Sequence, residues 1–249
     1  MSESEPDRSV DAGAGDLPGD LPRDVGVVFE DAEYRLAVVD LLGAIAYGEL
    51  SAFERLVDDA KLAPSVRDKV EMGAMASLEF GHVGRLHDRI RELGTDPFDA
   101  MAPFEAPIDL FHTHTAPADW YEGLVKAYVG DGLAADFYRE IAAYLDAGTR
   151  DLIIASLDDA GQADFAVRRI RQAIADDPKL GGRLALWGRR LMGEALTQAQ
   201  RVAAERDALS ALLAGGIDRP GLDLAAIGRM FTRITERHAA RMAELGLAS

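Results

Sequence analysis

Six polar side chains of the types that bind metal ions lie on the apolar faces of predicted helices: Glu49, Glu79, His82, Asp131, Asp159 and Gln162. Residues three, four and seven apart share one face of an α-helix. The order along the chain is one acid, then Glu-x-x-His, then one acid, then Asp-x-x-Gln. The pattern therefore predicts four helices that direct carboxylates and a histidine toward a common centre.

Metal binding is one economical reason for such a cluster. A buried, unpaired carboxylate costs several kcal/mol and usually takes up a proton, forms an ion pair or binds a metal. Four neighbouring acids cannot all remain ionised at low dielectric. A pair of cations would balance them, and oxygen ligands with an imidazole suit iron or manganese better than copper.

Each position also has an interpretation without a metal. Glu49 would be a surface acid if the helix were rotated, and Glu79 with His82 would form a buried hydrogen bond. Asp131 would mark a helix irregularity between two glycines. Asp159 and its partner three residues on would make a structural polar contact.

Other residues are weaker candidates for chemistry. His112 and His114 fall in a proline-containing stretch and are predicted to be solvated, although together they could chelate a metal. Glu194 is an alternative ligand if the helices of the bundle are assigned differently. His238 is predicted to be a core or interface histidine. The arginines between residues 168 and 206 either offset the acidic remainder through surface pairs or contact a tRNA backbone.

The elements that must position these residues are six predicted helices, over about 32–61, 65–93, 119–146, 149–176, 180–214 and 222–245. Residues 94–117 hold four prolines and are predicted to be a long connection without a helix. The pattern indicates an all-α, ferritin-like four-helix bundle with one long crossover and two additional C-terminal helices. Those two helices are expected outside the four-helix core or at a homodimer contact.

Composition limits the classes of function. Residues 1–27 form a predicted disordered acidic tail, and 28–249 form the helical domain. The chain has no cysteine, which excludes thiol chemistry and zinc–thiolate sites. No run of about 18 apolar residues occurs and no signal sequence is evident, so we expect a cytoplasmic protein without a membrane partner. The net charge of −16 argues against general nucleic-acid binding.

The run over 71–94, EMGAMASLEFGHVGRLHDRIRELG, resembles the second helix of the ferritin-like superfamily. The runs LDDAGQADFAVRRIRQAIADDP and LALWGRRLMGEALTQAQRV resemble more narrowly the branch related to tRNA-isopentenyladenosine hydroxylase, the MiaE-like proteins. The resemblance covers roughly residues 30–245. It implies a non-haem di-iron site that activates dioxygen and hydroxylates an unactivated carbon.

The resemblance also implies an allocation of ligands. Glu49, Glu79 and His82 would hold one iron, and Asp131 and Asp159 would hold the second. Gln162 stands where a second histidine is expected, which leaves a competent variant, a single-metal site and a relic as open interpretations. Manganese is the alternative metal.

The first hypothesis for function is a dioxygen-dependent hydroxylase, with a prenylated tRNA as one candidate substrate and no redox partner assigned. The second is a non-catalytic, ferritin-like protein that acts by helical association. A ferroxidase or iron-storage role ranks last, because two extra helices are not typical of a cage subunit.

Overall fold

The computed structural model describes residues 31–157, 162–214 and 224–248, and these residues form helices and the turns between them. The helices are α1 Ala32–Asp59, α2 Val66–Glu92, α3 Pro97–His114, α4 Trp120–Ala142, α5 Ala147–Ser156, α6 Gln162–Asp176, α7 Pro178–Glu205, α8 Asp207–Ala214 and α9 Leu224–Glu244. The all-α class and the ferritin-like helical fold are confirmed.

Side-chain caps set the ends of the helices where the sequence indicates them. Ser65 accepts a hydrogen bond from the backbone N–H of Asp68 at 3.1 Å and starts α2. Asp119 accepts from two backbone N–H groups and starts α4. Gly94 follows α2 with φ of 83°, a left-handed conformation that glycine adopts without steric cost.

The predicted open connection over 94–117 is wrong, because most of it is the helix α3. Asp96 caps its first turn and Pro97 occupies the first helical position, where its missing N–H costs nothing. The buried residues Pro97, Ala100, Met101, Phe104 and Pro107 follow a helical period. Two internal prolines concealed this period, but packing of the apolar face on α1 outweighs their cost.

Two predicted long helices are each divided. The helix expected over 149–176 is present as α5 and α6, and α5 ends at Ser156 with a tight turn at Leu157. The helix expected over 180–214 breaks at Arg206, whose backbone leaves the helical region. The Nε atom of Arg206 donates to Asp40 at 3.0 Å, so an ion pair with α1 fixes the break.

The C-terminal helices α7 and α9 contribute to the core, whereas the sequence places them outside it. Leu184, Trp187 and Leu191 of α7 and Ile234 of α9 are buried in the same apolar cluster as α4. The indole of Trp187 donates to the backbone carbonyl oxygen of Glu122 at 2.9 Å. These helices therefore complete the wall around the interior.

Buried ion pairs join α4 to α9. Asp136 is 1% exposed and lies against three arginines, with Arg237 at 3.6 Å, Arg139 at 3.7 Å and Arg241 closer still. Asp136 therefore links the two helices, and so does Glu140 of α4, which pairs with Arg233 and Arg237 of α9. The charge of Asp136 is compensated on several sides, which is what its burial requires.

The segment Ala32–Leu62, which contains α1, is long and apolar enough to cross a membrane by composition, with a mean hydropathy of 1.6. However, 61% of its most apolar window is buried inside the protein. The core of a helical bundle explains this hydropathy, which is consistent with a soluble protein.

Candidate metal centre

Glu49, Glu79 and His82 come together where α1 and α2 pack side by side. Each offers one ligand atom, and the three atoms lie within 4.8 Å of one another. Glu49 is 8% exposed and Glu79 is 7% exposed. The Nδ1 atom of His82 lies 3.2 Å from Oε2 of Glu49. Within the described part of the chain, this group, which we call the triad, is the one cluster with the geometry to hold a metal ion.

The surroundings of Glu49 suit a cation. Burial raises the pKa of Glu49 to about 7, while a hydrogen bond with Glu79 lowers it and the charge of Asp131 raises it again. Two buried carboxylates that share a hydrogen bond retain a proton between them. A metal ion can replace that proton, so the residues present fit a divalent cation with oxygen and imidazole ligands.

Tyr138 of α4 is a neighbour of the triad that the sequence analysis missed. Burial raises the pKa of its hydroxyl, and the charges of Glu49, Asp131 and Glu79 raise it further. A Cβ atom at Gly48 would lie 3.2 Å from the hydroxyl oxygen, so glycine leaves room for this approach. The seven-residue spacing between Asp131 and Tyr138, which places both on one helix face, was the signal for it.

Asp131 faces the same interior but is not part of the triad. It lines the cavity described below together with Glu49 and Glu79. Its charge acts on Glu49 and on Tyr138, yet more than a third of its own surface is accessible. Asp131 of α4 therefore lies near the metal centre, but its carboxylate is not among the three ligand atoms of the triad.

The ligands predicted on the helix over 149–176 are only partly described. Asp159 lies outside the described residues, as does the neighbouring Asp158. Gln162 is the first residue of α6, and the position of its side chain is not described. A second metal position that uses these residues stays a prediction.

The triad opens on a large cavity of about 1020 Å³ that is partly open to solvent. Its walls come from α1, α2, α3, α4, α5, α7, α8 and α9 and are mostly apolar, with Phe104, Ile108, Leu133, Phe137 and Leu213 among the lining residues. A pocket of this size suits an organic ligand. Metal binding alone does not require such a space.

A second set of titratable groups lines the cavity at the end of α1. Asp59 is 7% exposed, and burial raises its pKa to about 6, while the charge of Lys126 lowers it. Burial also lowers the pKa of Lys126 to about 8 and that of His112 to about 3. The prediction that His112 is solvated is wrong, because α3 carries it into the wall of the cavity.

The stability of the protein should depend on the ionisation of Asp59. Its pKa rises from 3.8 to about 6 on folding, so it contributes stability below pH 4 that is lost as the pH rises through 6. Asparagine does not titrate. Relative to Asp59→Asn, the wild type should therefore lose about 2–3 kcal/mol of unfolding free energy between pH 4 and pH 7, since one pKa unit corresponds to about 1.4 kcal/mol.

Urea unfolding at stepped pH measures this difference, with Asp58→Asn as the matched control. Asp58 is the exposed neighbour of Asp59, and its hydrogen bond with Lys61 lowers its pKa, so its small effect has the opposite sign. The groups that face Asp59 are Lys126, Arg55 and Asp58. An Asp59→Asn protein with the pH profile of the wild type would contradict the assignment.

Most of the remaining candidates from the sequence have ordinary partners, although neither ring nitrogen of His238 has a hydrogen-bond partner among the described residues. Glu194 lies 3.3 Å from Nδ1 of His114. His238 is buried at 5% exposure, in agreement with a core histidine. Most arginines between residues 168 and 206 bind carboxylates or backbone carbonyl oxygens: Arg169, Arg171, Arg183, Arg189, Arg190, Arg201 and Arg206.

Comparison with known proteins agrees with the fold. A family model described as a ferritin-like domain of actinomycetes matches residues 32–216. This span includes all six predicted ligand positions, and the three residues of the triad are among them. No curated protein matches the chain.

Proposed function

The chain belongs to the family of ferritin-like domains of actinomycetes, and we propose from this premise that it is an iron-dependent oxygenase acting on an organic substrate held in its cavity. Glu49, Glu79 and His82 hold the first metal ion. Iron is the preferred metal and manganese the alternative, because the ligands are two carboxylates and one imidazole.

One observation carries the proposal: the triad opens directly on a mostly apolar cavity of about 1020 Å³. A protein that stores iron needs a path for ions and has no use for an apolar chamber beside its ligands. A protein that acts through helical association needs neither the chamber nor the triad. The combination of ligands and chamber favours chemistry on a bound carbon compound.

Bound iron would activate dioxygen with electrons from an external reductant, and the residues of the chain would determine where that chemistry takes place. Glu49 and Glu79 would hold the ion together with His82, and its charge would take the place of the proton that burial favours on Glu49. The hydroxyl of Tyr138 lies beside them and stays protonated, because burial and three neighbouring carboxylates raise its pKa. The apolar walls exclude water from the reacting carbon and orient it toward the triad.

A second iron is part of the proposal and depends on Asp131, Asp159 and Gln162. Asp131 is the member of this set that lines the cavity, and its charge already acts on Glu49. A cation near Asp131 would relieve this repulsion. With glutamine in place of histidine, we expect the second position to bind more weakly than the first.

The resemblance to MiaE-like enzymes supports hydroxylation as the reaction. It also makes a prenylated adenosine a candidate substrate, whether free or within tRNA. The paired arginines of α6 and α7 and the net charge of −16 favour a small substrate over an intact tRNA. The redox partner is not assigned.

Metal titration without oxygen tests the proposal. Ferrous iron added anaerobically should raise the thermal unfolding temperature, because a ligand that binds the native state stabilises it. Saturation at one or two irons per chain, followed by dioxygen uptake with a reductant, supports an oxygenase. Accumulation of many irons per chain would point to storage instead. If neither iron nor manganese stabilises the protein, the proposal is wrong.

A further inference from the structure

The cavity has a polar end that lies away from the triad. Its members are Arg55, Asp59, His112 and Lys126, which line the cavity and act on one another electrostatically. They come from α1, α3 and α4. Asp59 is ten residues beyond Glu49 on α1, which places it about 15 Å further along the helix axis. The cavity is therefore elongated, with the metal ligands and the polar end at separate points.

Several groups at the polar end lack full hydrogen bonding within the described part of the chain. Lys126 is 6% exposed, and its ammonium group donates to one acceptor there, the Thr115 carbonyl oxygen at 2.9 Å. An ammonium group can donate three hydrogen bonds. Nδ1 of His112 is buried and has no partner among the described residues. Buried polar atoms in this state suit a polar ligand.

The charges at the polar end indicate which ligand it would accept. Arg55 and Lys126 are cations, and Asp59 is an acid whose charge acts on Lys126. Arg55 also lies 3.7 Å from Asp58 and 3.9 Å from Glu54, both exposed acids, so Lys126 is the buried cation that a ligand would meet. A single buried cation matches a monoanion such as a carboxylate, whereas a phosphate dianion would leave an excess of negative charge. The ring of Phe111, 5.6 Å from Nζ of Lys126, begins the apolar wall.

We infer that the polar end binds the carboxylate of a single-chain amphiphile such as a fatty acid, with the ammonium group of Lys126 as its main donor. The apolar chain then extends through the cavity toward Glu49. Binding of the acid requires no metal ion. The orientation of its chain for reaction rests on the proposed function.

A structural role for Lys126 is the alternative explanation. Thr115 is the C-terminal cap of α3, and a cation that donates to its carbonyl oxygen stabilises that helix end. Arg190 offers a matched control, because it donates to the carbonyl oxygen of His114 at the same helix end from outside the cavity. Replacing either cation should destabilise the C-terminal end of α3. Of the two replacements, only that of Lys126 should weaken binding of the carboxylate ligand.

Competition binding on the metal-free protein, in the presence of a chelator, tests the inference. A fluorescent fatty-acid probe is displaced with tetradecanoate or with tetradecanol, which has the same chain without the charge. Wild-type protein should prefer the acid by roughly ten-fold or more, the range expected for a hydrogen bond between charged groups. Lys126→Met should abolish this preference, because affinity for the acid should fall far more than affinity for the alcohol. Lys126→Arg and Arg190→Met should retain the preference.

Arg55→Met is a second test variant, since Arg55 is partly exposed and the fold should tolerate its replacement. This substitution should reduce the preference for the acid over the alcohol several-fold. The inference is overturned if wild-type protein does not bind tetradecanoate, or if neither Lys126→Met nor Arg55→Met changes the ratio of acid to alcohol affinity. Because the assay contains no metal, these results are separate from the outcome of the iron titration.

Discussion

Replacing Glu79 with leucine is expected to remove metal binding and, at the same time, to stabilise the metal-free protein. Glu79 is 7% exposed and shares a hydrogen bond with a second buried acid, Glu49. Loss of a direct ligand should weaken metal affinity by roughly a hundred-fold or more, since even outer partners of metal ligands contribute 10–100-fold. An apolar side chain of similar size relieves the burial of a carboxylate, which corresponds to about 1–3 kcal/mol.

Metal analysis and chemical unfolding in a chelator measure the two effects separately. Glu71→Leu is the matched control, because Glu71 is an exposed acid of the same helix and should alter neither quantity appreciably. A Glu79→Leu protein that retains its metal would show that the triad is not the site. A variant that loses its metal and is also strongly destabilised would assign Glu79 a structural role.

Replacing Gly43 with alanine should destabilise the protein by roughly 3 kcal/mol, at the upper end of the cost of overpacking a core. α1 and α3 cross at this point, and a Cβ atom at Gly43 would overlap the backbone carbonyl of Ala100, with 2.6 Å to its carbon atom. Backbone cannot rotate away as a flexible side chain can. The two helices must therefore separate, which also disturbs the wall of the cavity that α3 forms.

Gly84→Ala is the control for helix propensity. Gly84 lies in α2, and no described atom outside its own stretch of helix lies within 4 Å of the position that its Cβ would occupy. Alanine there should stabilise the protein by about 0.5–1 kcal/mol, because glycine is a poor helix former. Thermal and urea unfolding report both variants. Equal effects of the same sign would contradict the close contact between α1 and α3.

The sequence was sufficient to predict the fold class and the first half of the metal centre. Glu49, Glu79 and His82 each interrupt an apolar stripe, and helical spacing alone places such residues on an inner face. The caps Ser65 and Asp119 and the C-terminal Gly94 are equally local signals. Each of these predictions depends on residues within a few turns of one another.

The rest depended on contacts between distant parts of the chain. The helix α3 was missed because Pro103 and Pro107 are unfavourable in isolation, and the packing that overrides them comes from α1. Lys126 and Asp59 were not candidates in the sequence, which does not show that helices from distant parts of the chain enclose them. The cavity itself is an absence of side chains, which no periodicity in one helix can reveal.

The prolines inside α3 affect how the cavity exchanges its contents with solvent. Pro103 and Pro107 have no backbone N–H, so the carbonyl groups of Asp99 and Pro103 have no partner four residues ahead in the helix. Opening α3 therefore breaks two fewer hydrogen bonds than opening another helix of 18 residues. Since Phe104 and His112 of this helix line the cavity, amide hydrogen exchange should find α3 to be the wall that opens first.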